Sequence, residues 1–349
     1  MEKQRNIKEA VLWHSEKEDK VRCELCSFRC LISPGKLGNC AVRQNIGGKL
    51  YSLNYYSVCS AGVDPIEKKP LYHFLPGSGS FSIACPGCNF KCDFCQNWQI
   101  SQMAQSGGSL EGSAYSPEAI IRAAIDSHCR SVAYTYTEPT IFMELASECG
   151  QLARKKGLKN IFVSNGYMTK EAVDFSRGWL DAINVDLKAF SENYYRRLCK
   201  ATLKPVLETI EYIARNTDIW MEITTLIVPG ENDSPEELMR IAEFIANLSD
   251  GEIPWHISRF YPNYKMDGID ATPGQTIMNA YEIAKSAGLK YVYIGNLATS
   301  IGQNTACHGC GEILIERSGY KIIKHDVKTG FCPKCNKKIS GFFEKNKNF

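Results

Sequence analysis

The sequence predicts an α/β fold with a parallel sheet, preceded and followed by cysteine-rich segments. Between residues 81 and 300, short strand-like segments alternate with amphipathic helical patterns, which is typical of βα units. Most of the 16 cysteines fall into three clusters, at residues 23–40, 85–95 and 307–335. We therefore expect three parts: an N-terminal cysteine-rich metal-binding segment (1–80), a core of strand–helix units (81–300) and a C-terminal cysteine-flanked hairpin module (301–349).

Seven segments of the core have the length and the apolar, β-branched or aromatic character of strands. Right-handed crossovers would join them into a parallel sheet, either open or closed as a barrel, and periodicity does not decide between the two. Both arrangements place their chemistry at the carboxyl ends of the strands. The predicted strands cover residues 81–85, 131–136, 160–164, 182–186, 221–228, 255–260 and 291–296.

The helices between these strands have recognisable starts and ends. Ser116 and Ser234 are capping residues, each followed by a proline at the first helical position. Glu237, three residues after the second cap, predicts a capping box. Gly157 and Gly288 stand where two helices should end. These signals support the alternation of strand and helix.

The composition excludes several classes of protein. The 349 residues include 41 Lys and Arg against 38 Asp and Glu, a net charge of +3, which makes a nucleic-acid partner unlikely on electrostatic grounds. No apolar run approaches the roughly 20 residues that a membrane helix needs. The first twenty residues are rich in charge and lack the apolar region of a signal peptide. We therefore expect a cytoplasmic protein whose reduced cysteines are metal ligands.

The central cysteines follow the first predicted strand directly, at the catalytic end of the sheet. Cys88, Cys92 and Cys95 have the spacing C-x3-C-x2-C. Three thiolates on one short loop can bind three irons of a cubane cluster and leave the fourth iron open to a substrate or cofactor. The alternative is a zinc knuckle with Cys85 as the fourth ligand.

This spacing, with Phe94 just before the last cysteine, resembles the signature of the radical S-adenosylmethionine (SAM) enzymes. The resemblance implies a [4Fe-4S] cluster on Cys88, Cys92 and Cys95, with SAM bound to the open iron. It also implies a partial (β/α)6 barrel over about residues 80–300. In that family the reduced cluster cleaves SAM to a 5′-deoxyadenosyl radical, which abstracts a hydrogen atom from the substrate.

Smaller motifs near later strand ends resemble SAM contacts of the same family. Glu138, in Tyr-Thr-Glu-Pro, implies an acceptor for the SAM amino group, with a solvated helix-start carboxylate as the alternative. Lys188, in Asp-Leu-Lys, is available to the SAM carboxylate. His256 resembles a SAM-contacting histidine, although a lone histidine can equally be structural. The cofactor-binding residues implied by the resemblance are Phe94, Glu138, Asn165, Asp186, Lys188 and His256.

The pattern over nearly the whole chain is similar to the radical SAM component of the AmmeMemoRadiSam system, whose members are relatives of pyruvate formate-lyase activating enzymes. Its motifs include GCNFKCDFCQNWQIS (87–101), TYTEPTIF (135–142) and TTLIVPGEND (224–233). Val163 stands where the activating enzymes have an aspartate that helps to hold a cation, which weakens the case for activating a glycyl radical enzyme. The resemblance implies an electron donor such as a flavodoxin or ferredoxin, and as substrate a protein, an AmmeMemoRadiSam partner or a small metabolite.

Two further sets of four cysteines predict metal sites outside the core. The C-terminal set forms two CxxC knuckles across a hairpin between Ile313 and Ile323, a pattern typical of a tetrahedral zinc ribbon, although iron fits the same ligands. The N-terminal set allows either zinc or a second iron–sulfur cluster, and we expect zinc. The two sets are Cys307, Cys310, Cys332 and Cys335, and Cys23, Cys26, Cys30 and Cys40.

Three functional hypotheses follow. The first is a radical SAM enzyme that abstracts hydrogen from an unidentified substrate, and the second is an activating enzyme that makes a glycyl radical on a partner. The third, from another class, is a zinc-only interaction or nucleic-acid module. The charged run from Asp64 to His73 predicts either a solvated connector or a lid over the barrel mouth.

Overall fold

An eight-stranded sheet forms the centre of the molecule. The computed structural model describes residues 7–102, 104, 110, 112–327 and 330–343. Strands adjacent in the chain are adjacent in the sheet; the last seven run parallel, and the first is antiparallel to the second. In chain order the strands are β1 (Ser60–Pro65), β2 (Gly79–Ala84), β3 (Ser131–Tyr134), β4 (Lys159–Ser164), β5 (Ala182–Asp186), β6 (Trp220–Ile227), β7 (Trp255–Arg259) and β8 (Val292–Gly295).

Among the described residues, each crossover between parallel strands contains one helix of seven residues or more, beside shorter helical turns. Six strand–helix units followed by β8 form the predicted partial (β/α)6 barrel, and the barrel is partial because β1 and β8 lie at opposite edges of the sheet. The fold class and all seven predicted strands are confirmed. The helices are α1 (Pro117–Asp126), α2 (Met143–Lys155), α3 (Lys170–Ser176), α4 (Lys204–Asn216), α5 (Pro235–Leu248) and α6 (Gly274–Ser286).

The predicted caps set the ends of these helices. The hydroxyls of Ser116 and Ser234 each accept a hydrogen bond from the backbone N–H three residues later, at 3.2 Å. The carboxylate of Glu237, predicted to complete a capping box, accepts from the backbone N–H of Phe190 in the loop after β5. Gly157 follows α2 with a φ of +77°, a left-handed conformation that glycine adopts without strain.

The flanking segments contain small antiparallel sheets, and further short strands and helical turns lie in the loops of the core. The predicted C-terminal hairpin is confirmed by the pairing of Ile313–Ser318 with Lys321–His325. No helix among the described residues is both long and apolar enough to cross a bilayer. The other strands are Lys8–Glu9, Trp13–Ser15, Val21–Cys23, Leu31–Ile32, Arg43–Ile46, Lys49–Ser52, Ser57–Val58, Ser113–Ala114 and Thr305–Ala306; the helical turns are Ile66–Lys68, Trp98–Ser101, Pro139–Phe142, Glu192–Tyr194, Tyr195–Cys199 and Tyr264–Met266.

The layer between the sheet and its helices is closely packed around Trp179. This buried side chain makes edge-on contacts with Tyr134 on β3 and Phe162 on β4, at centroid distances of 6.2 and 5.6 Å. Gly150 in α2 lies against the same indole, and a Cβ atom there would come within 2.4 Å of its Cε3. The glycine therefore allows α2 to approach the sheet closely.

We expect Gly150→Ala to lower the free energy of unfolding by about 1–3 kcal/mol, because the added methyl group overlaps Trp179. Urea denaturation followed by tryptophan fluorescence measures the change. Gly178→Ala is the matched control, since a Cβ atom at Gly178 meets nothing within 4 Å. Equal stability of the two variants would contradict this account of the packing.

Candidate active site

A cavity of about 530 Å³ opens at the carboxyl ends of the parallel strands. Its wall is formed by the loop after β2, by the ends of β3 to β8, and by the run that precedes β2. Tyr320, at the turn of the C-terminal hairpin, also lines it. Every residue predicted from the central cysteines or the SAM motifs lies in this wall: Cys88, Cys92, Phe94, Cys95, Glu138, Asn165, Asp186, Lys188 and His256.

The loop after β2 presents three thiols to the cavity. Cys88 and Cys92 are buried and Cys95 is half-buried. Cys85 does not line the cavity and is buried beside the thiols of Cys59 and Cys149. The geometry therefore provides three ligands on one side of an open space and does not support a zinc knuckle completed by Cys85.

Glu138 is buried at the cavity wall and fixed by hydrogen bonds from two neighbouring elements. Its carboxylate accepts from the backbone N–H and the hydroxyl of Thr140, from the hydroxyl of Ser164 at 2.8 Å and from the backbone N–H of Asn165 at 2.7 Å. Burial raises the pKa of Glu138 above its ordinary value, and these hydrogen bonds oppose the increase. Glu138 precedes a helical turn, but it is buried, so the alternative interpretation as a solvated helix-start carboxylate is wrong.

Lys188 provides a positive charge in the cavity wall. Its Nζ lies 2.9 Å from Asp186 Oδ2 and 5.9 Å from the centre of the Phe94 ring. Burial alone would lower the pKa of Lys188, but the carboxylate of Asp186 holds it well above its ordinary value. Lys188 therefore stays protonated and is available to an anionic group of a ligand.

His256 belongs to a buried network centred on Glu222, a residue that the sequence analysis did not identify. Its Nε2 lies 2.6 Å from Glu222 Oε2, and the same carboxylate accepts from the backbone N–H groups of Tyr72 and His73 at 3.0 and 2.8 Å. Trp220 Nε1 donates to it at 3.0 Å. His256 therefore combines a structural contact, its hydrogen bond with Glu222, with a position in the cavity wall.

Comparison with known proteins identifies this arrangement. Residues 82–245 match the radical SAM superfamily. An uncharacterized protein of Methanocaldococcus jannaschii is 43% identical over 335 residues, which cover 95% of this chain and 99% of that protein. The chain belongs to the radical SAM superfamily. Membership implies a [4Fe-4S] cluster and SAM, and it makes the zinc-only module hypothesis wrong.

Two more distant relatives of this radical SAM protein have activating-enzyme names. The pyruvate formate-lyase-activating enzyme of Listeria monocytogenes is 24% identical over 233 residues, 60% of this chain and 91% of that enzyme. The pyruvate formate-lyase 1-activating enzyme of Escherichia coli is 21% identical over 221 residues, 59% of this chain and 89% of that enzyme. The predicted family resemblance is confirmed, and the closer resemblance to the AmmeMemoRadiSam component stays a prediction.

The cavity wall fits a polar cofactor of the radical SAM type. Among the described residues, the hydroxyl oxygen of Thr224 and one carboxylate oxygen of Glu67 are buried without a hydrogen-bond partner, and both residues line the cavity. Buried polar groups are rarely left unpaired unless a ligand or water completes them. Together with the three thiols, these atoms match a cluster and a ligand with charged groups.

A turn of π-helix supports the cysteine loop and brings a fourth thiol close to it. The backbone carbonyls of Leu198 and Cys199 accept from the N–H groups of Asp93 and Lys91 at 2.9 and 3.1 Å. A hydrogen bond between Cys199 and Cys92, together with burial, raises the pKa of the Cys92 thiol well above its ordinary value. The cysteine spacing gives no signal for Cys199, because it belongs to none of the three cysteine clusters.

The charged run before β2 forms part of the cavity wall. The carboxylate of Asp64 accepts from the Nζ atoms of Lys68 and Lys69, at 2.8 and 2.6 Å, and from the hydroxyl of Tyr136. Lys69, Glu67 and His73 are buried. The solvated-connector interpretation is therefore wrong for the side chains that face inward.

The C-terminal cysteines converge as predicted. Cys307 Sγ and Cys335 Sγ are 3.5 Å apart, and Cys310 Sγ and Cys332 Sγ are 3.7 Å apart. All four sulfurs lie within 4.8 Å of one another. This spacing fits a single tetrahedral metal ion, because metal–sulfur bonds of about 2.3 Å place the sulfurs about 3.8 Å apart.

The Glu222 network predicts a pH-dependent contribution to stability. Burial alone would raise the pKa of Glu222, but the hydrogen bond and charge of His256 hold it below the ordinary value of 4.5. A carboxylate with a depressed folded-state pKa stabilises the fold above its unfolded pKa, and this stabilisation is lost as the pH falls through the folded pKa. We expect Glu222→Gln to cost about 1–3 kcal/mol at pH 7, since an amide cannot accept all four hydrogen bonds.

Urea denaturation of the cluster-free protein between pH 7 and pH 4 measures this effect. The difference in the free energy of unfolding between wild type and Glu222→Gln should be largest at pH 7 and should become smaller below pH 4.5. Glu243→Gln, at an exposed position of α5, is the control and should change stability by less than about 0.5 kcal/mol at every pH. A constant difference between wild type and Glu222→Gln would contradict the assignment.

Proposed function

We propose that this protein is a radical SAM enzyme in which Cys88, Cys92 and Cys95 bind the [4Fe-4S] cluster and the surrounding cavity wall binds SAM. The observation that supports the proposal is that the three thiols and all six predicted SAM contacts line one cavity of about 530 Å³. The chemistry that the bound cluster and SAM supply is reductive cleavage to a 5′-deoxyadenosyl radical, which abstracts hydrogen from an unidentified substrate.

In this proposal the protein's own side chains orient SAM and exclude water. Lys188, kept protonated by Asp186, pairs with the carboxylate of SAM. Glu138 accepts from the amino group through its less occupied oxygen Oε2, which has Asn165 N–H as its hydrogen-bond donor. Phe94, buried beside Lys188, provides an apolar surface for the adenine.

Asn165 and His256 complete the proposed contacts. The side-chain amide of Asn165 lies 3.5 Å from Cys88 Sγ and 3.1 Å from Asn89 Oδ1, so it steadies a cluster ligand and its neighbour. His256 contacts SAM with the face that the Glu222 hydrogen bond holds toward the cavity. Both residues act by fixing geometry, and neither has to exchange a proton.

We expect Cys92→Ala to reduce formation of 5′-deoxyadenosine from SAM and dithionite by at least about a hundredfold, because one cluster ligand is lost. Anaerobic incubation and chromatography of the products measure it. Cys129→Ala is the matched control: Cys129 is also buried, but it lies beside Gly79 at the opposite end of β2. Retained cleavage by Cys92→Ala would refute the ligand assignment.

A second candidate function is activation of a glycyl radical enzyme, which the names of the Listeria and Escherichia relatives favour. Val163 lines the cavity where the activating enzymes have an aspartate, so the cation held there in those enzymes would lack a carboxylate ligand in this chain. This substitution makes activation the less favoured of the two functions.

Incubation with SAM, dithionite and pyruvate formate-lyase distinguishes the two candidates. We expect 5′-deoxyadenosine to form while the partner develops no glycyl-radical EPR signal, because Val163 provides no cation ligand. The activating enzyme of Escherichia coli, assayed in parallel, is the positive control. A partner-borne radical would establish the second candidate instead.

We also propose a flavodoxin or ferredoxin as electron donor, a protein or small metabolite as substrate, and an AmmeMemoRadiSam partner. We propose a cytoplasmic location, because clustered cysteines that serve as metal ligands are typical of a reducing compartment. The spacing of the C-terminal sulfurs supports zinc at Cys307, Cys310, Cys332 and Cys335. On this proposal the chain comprises a metal-binding segment (1–80), the radical SAM core (81–300) and the zinc-ribbon module (301–349).

A further inference from the structure

We infer that the N-terminal cysteines hold a second iron–sulfur cluster of the [4Fe-4S] type, with a thiolate on every iron, and not the zinc ion expected from the sequence. The site comprises Cys23, Cys26, Cys30 and Cys40, which come from the short strand Val21–Cys23 and the turns that follow it. Three observations support the inference: the spacing of the sulfurs, the apolar wall around them, and the charged and polar groups beside them.

The spacing of the sulfurs differs between the outer cysteine sets. Among the described residues, the C-terminal four are the one group of three or more candidate ligands whose donor atoms all lie within 4.8 Å of one another. No three of the N-terminal sulfurs satisfy that limit, and neither do Cys88, Cys92 and Cys95. A single zinc ion needs sulfurs about 3.8 Å apart, whereas thiolates on different irons of a cubane are separated by the cluster itself. In the separation of their sulfurs, the N-terminal cysteines therefore resemble Cys88, Cys92 and Cys95, the proposed cluster ligands.

A small cavity of about 10 Å³ lies between the four N-terminal thiols, and its wall is mostly apolar. All four cysteines line it, together with Leu25, Phe28, Ile32 and Ile141. Zinc bound at ordinary distances would require the sulfurs to move together and close this space. A cubane is larger than this cavity, so the wall opens to admit it, and the apolar side chains then keep water from its sulfides.

The charged and polar groups at this cavity suit an anionic cluster. Arg43 is buried in its wall and pairs with Glu144, with its Nη2 2.6 Å from Oε1. The backbone N–H of Asn39 donates to Cys30 Sγ at 3.4 Å. A nearby positive charge and N–H···S hydrogen bonds stabilise iron–sulfur clusters and set their reduction potentials.

The second site lies directly against the loop that carries the central cysteines. The side-chain amide of Asn39 donates to the backbone carbonyl of Asn89 at 3.0 Å. A Cβ atom at Gly87 would come within 2.8 Å of Val42 Cγ1 and 3.5 Å of the backbone oxygen of Cys40, so the two loops are in close contact. The N-terminal set is thus packed against the loop that carries the proposed cluster ligands.

Metal analysis of the anaerobically reconstituted full chain tests the inference. We expect about eight irons and eight sulfides per chain in the wild type, from two cubanes, with zinc confined to the C-terminal set. The triple variant Cys88→Ala, Cys92→Ala, Cys95→Ala leaves the N-terminal cysteines intact and should retain about four irons. Retention of zinc without iron in this triple variant would overturn the inference.

Electron paramagnetic resonance of the reduced protein provides a readout that separates the two clusters. The cluster left in the triple variant should give a signal that added SAM does not change, because each of its irons already has a thiolate. The double variant Cys23→Ala, Cys26→Ala should retain a signal that SAM does change. A signal of the triple variant that responds to SAM would contradict four-thiolate ligation.

The same variants keep this inference distinct from the proposed function. Failure of the wild type to cleave SAM, with iron still present in the triple variant, would remove the proposed function and leave the second cluster. Normal cleavage of SAM by the wild type, with no iron in the triple variant, would support the proposed function and remove the second cluster. Cys129→Ala again serves as the control for loss of a buried thiol outside both sites.

Discussion

The register of the parallel sheet is the constraint on which the active site depends. Asp186, Thr224, His256 and Tyr293 are paired in one row across β5 to β8. Partners in such a row point to the same face, so the first three reach the cavity together. Because side chains alternate along a strand, a slip of one residue would turn any of them away. The network around Glu222 fixes that register from the buried side, since it ties β6 to β7 and to the run before β2.

Much of the fold could be predicted because its signals are local. Strand length, capping serines and terminal glycines are read from a few adjacent residues, and all seven parallel strands were found in this way. The antiparallel strand β1 was not, because its alternating exposed residues lie in the charged, irregular stretch before the core. Its assignment to the sheet depends on pairing with β2, which no local pattern encodes.

The same contrast between local and long-range signals applies to the residues of the candidate site. The cysteine spacing and the short motifs of Glu138, Lys188 and His256 could be found because each is specific within a few residues. Glu222 was missed because a single charged residue in a strand forms no motif, and its partners Tyr72 and His256 are distant in sequence. The sequence could not choose between zinc and a second cluster at the N-terminal cysteines, since the spacing C-x2-C-x3-C suits both and the separation of the sulfurs appears only in the fold.

The C-terminal ribbon contributes to the cavity through a buried cation. Arg317, in the first strand of the hairpin, donates to the backbone carbonyl of Tyr72 at 2.8 Å and lies over its ring at 4.3 Å. It also lies 3.8 Å from the carboxylate of Glu67, a residue of the cavity wall. Loss of one partner would leave a buried charge uncompensated, which costs several kcal/mol, about 3–5 in comparable cases. A metal bound by the four C-terminal cysteines would therefore stabilise more than a surface module, because the hairpin that it fixes contacts Tyr72 and Glu67 at the cavity wall.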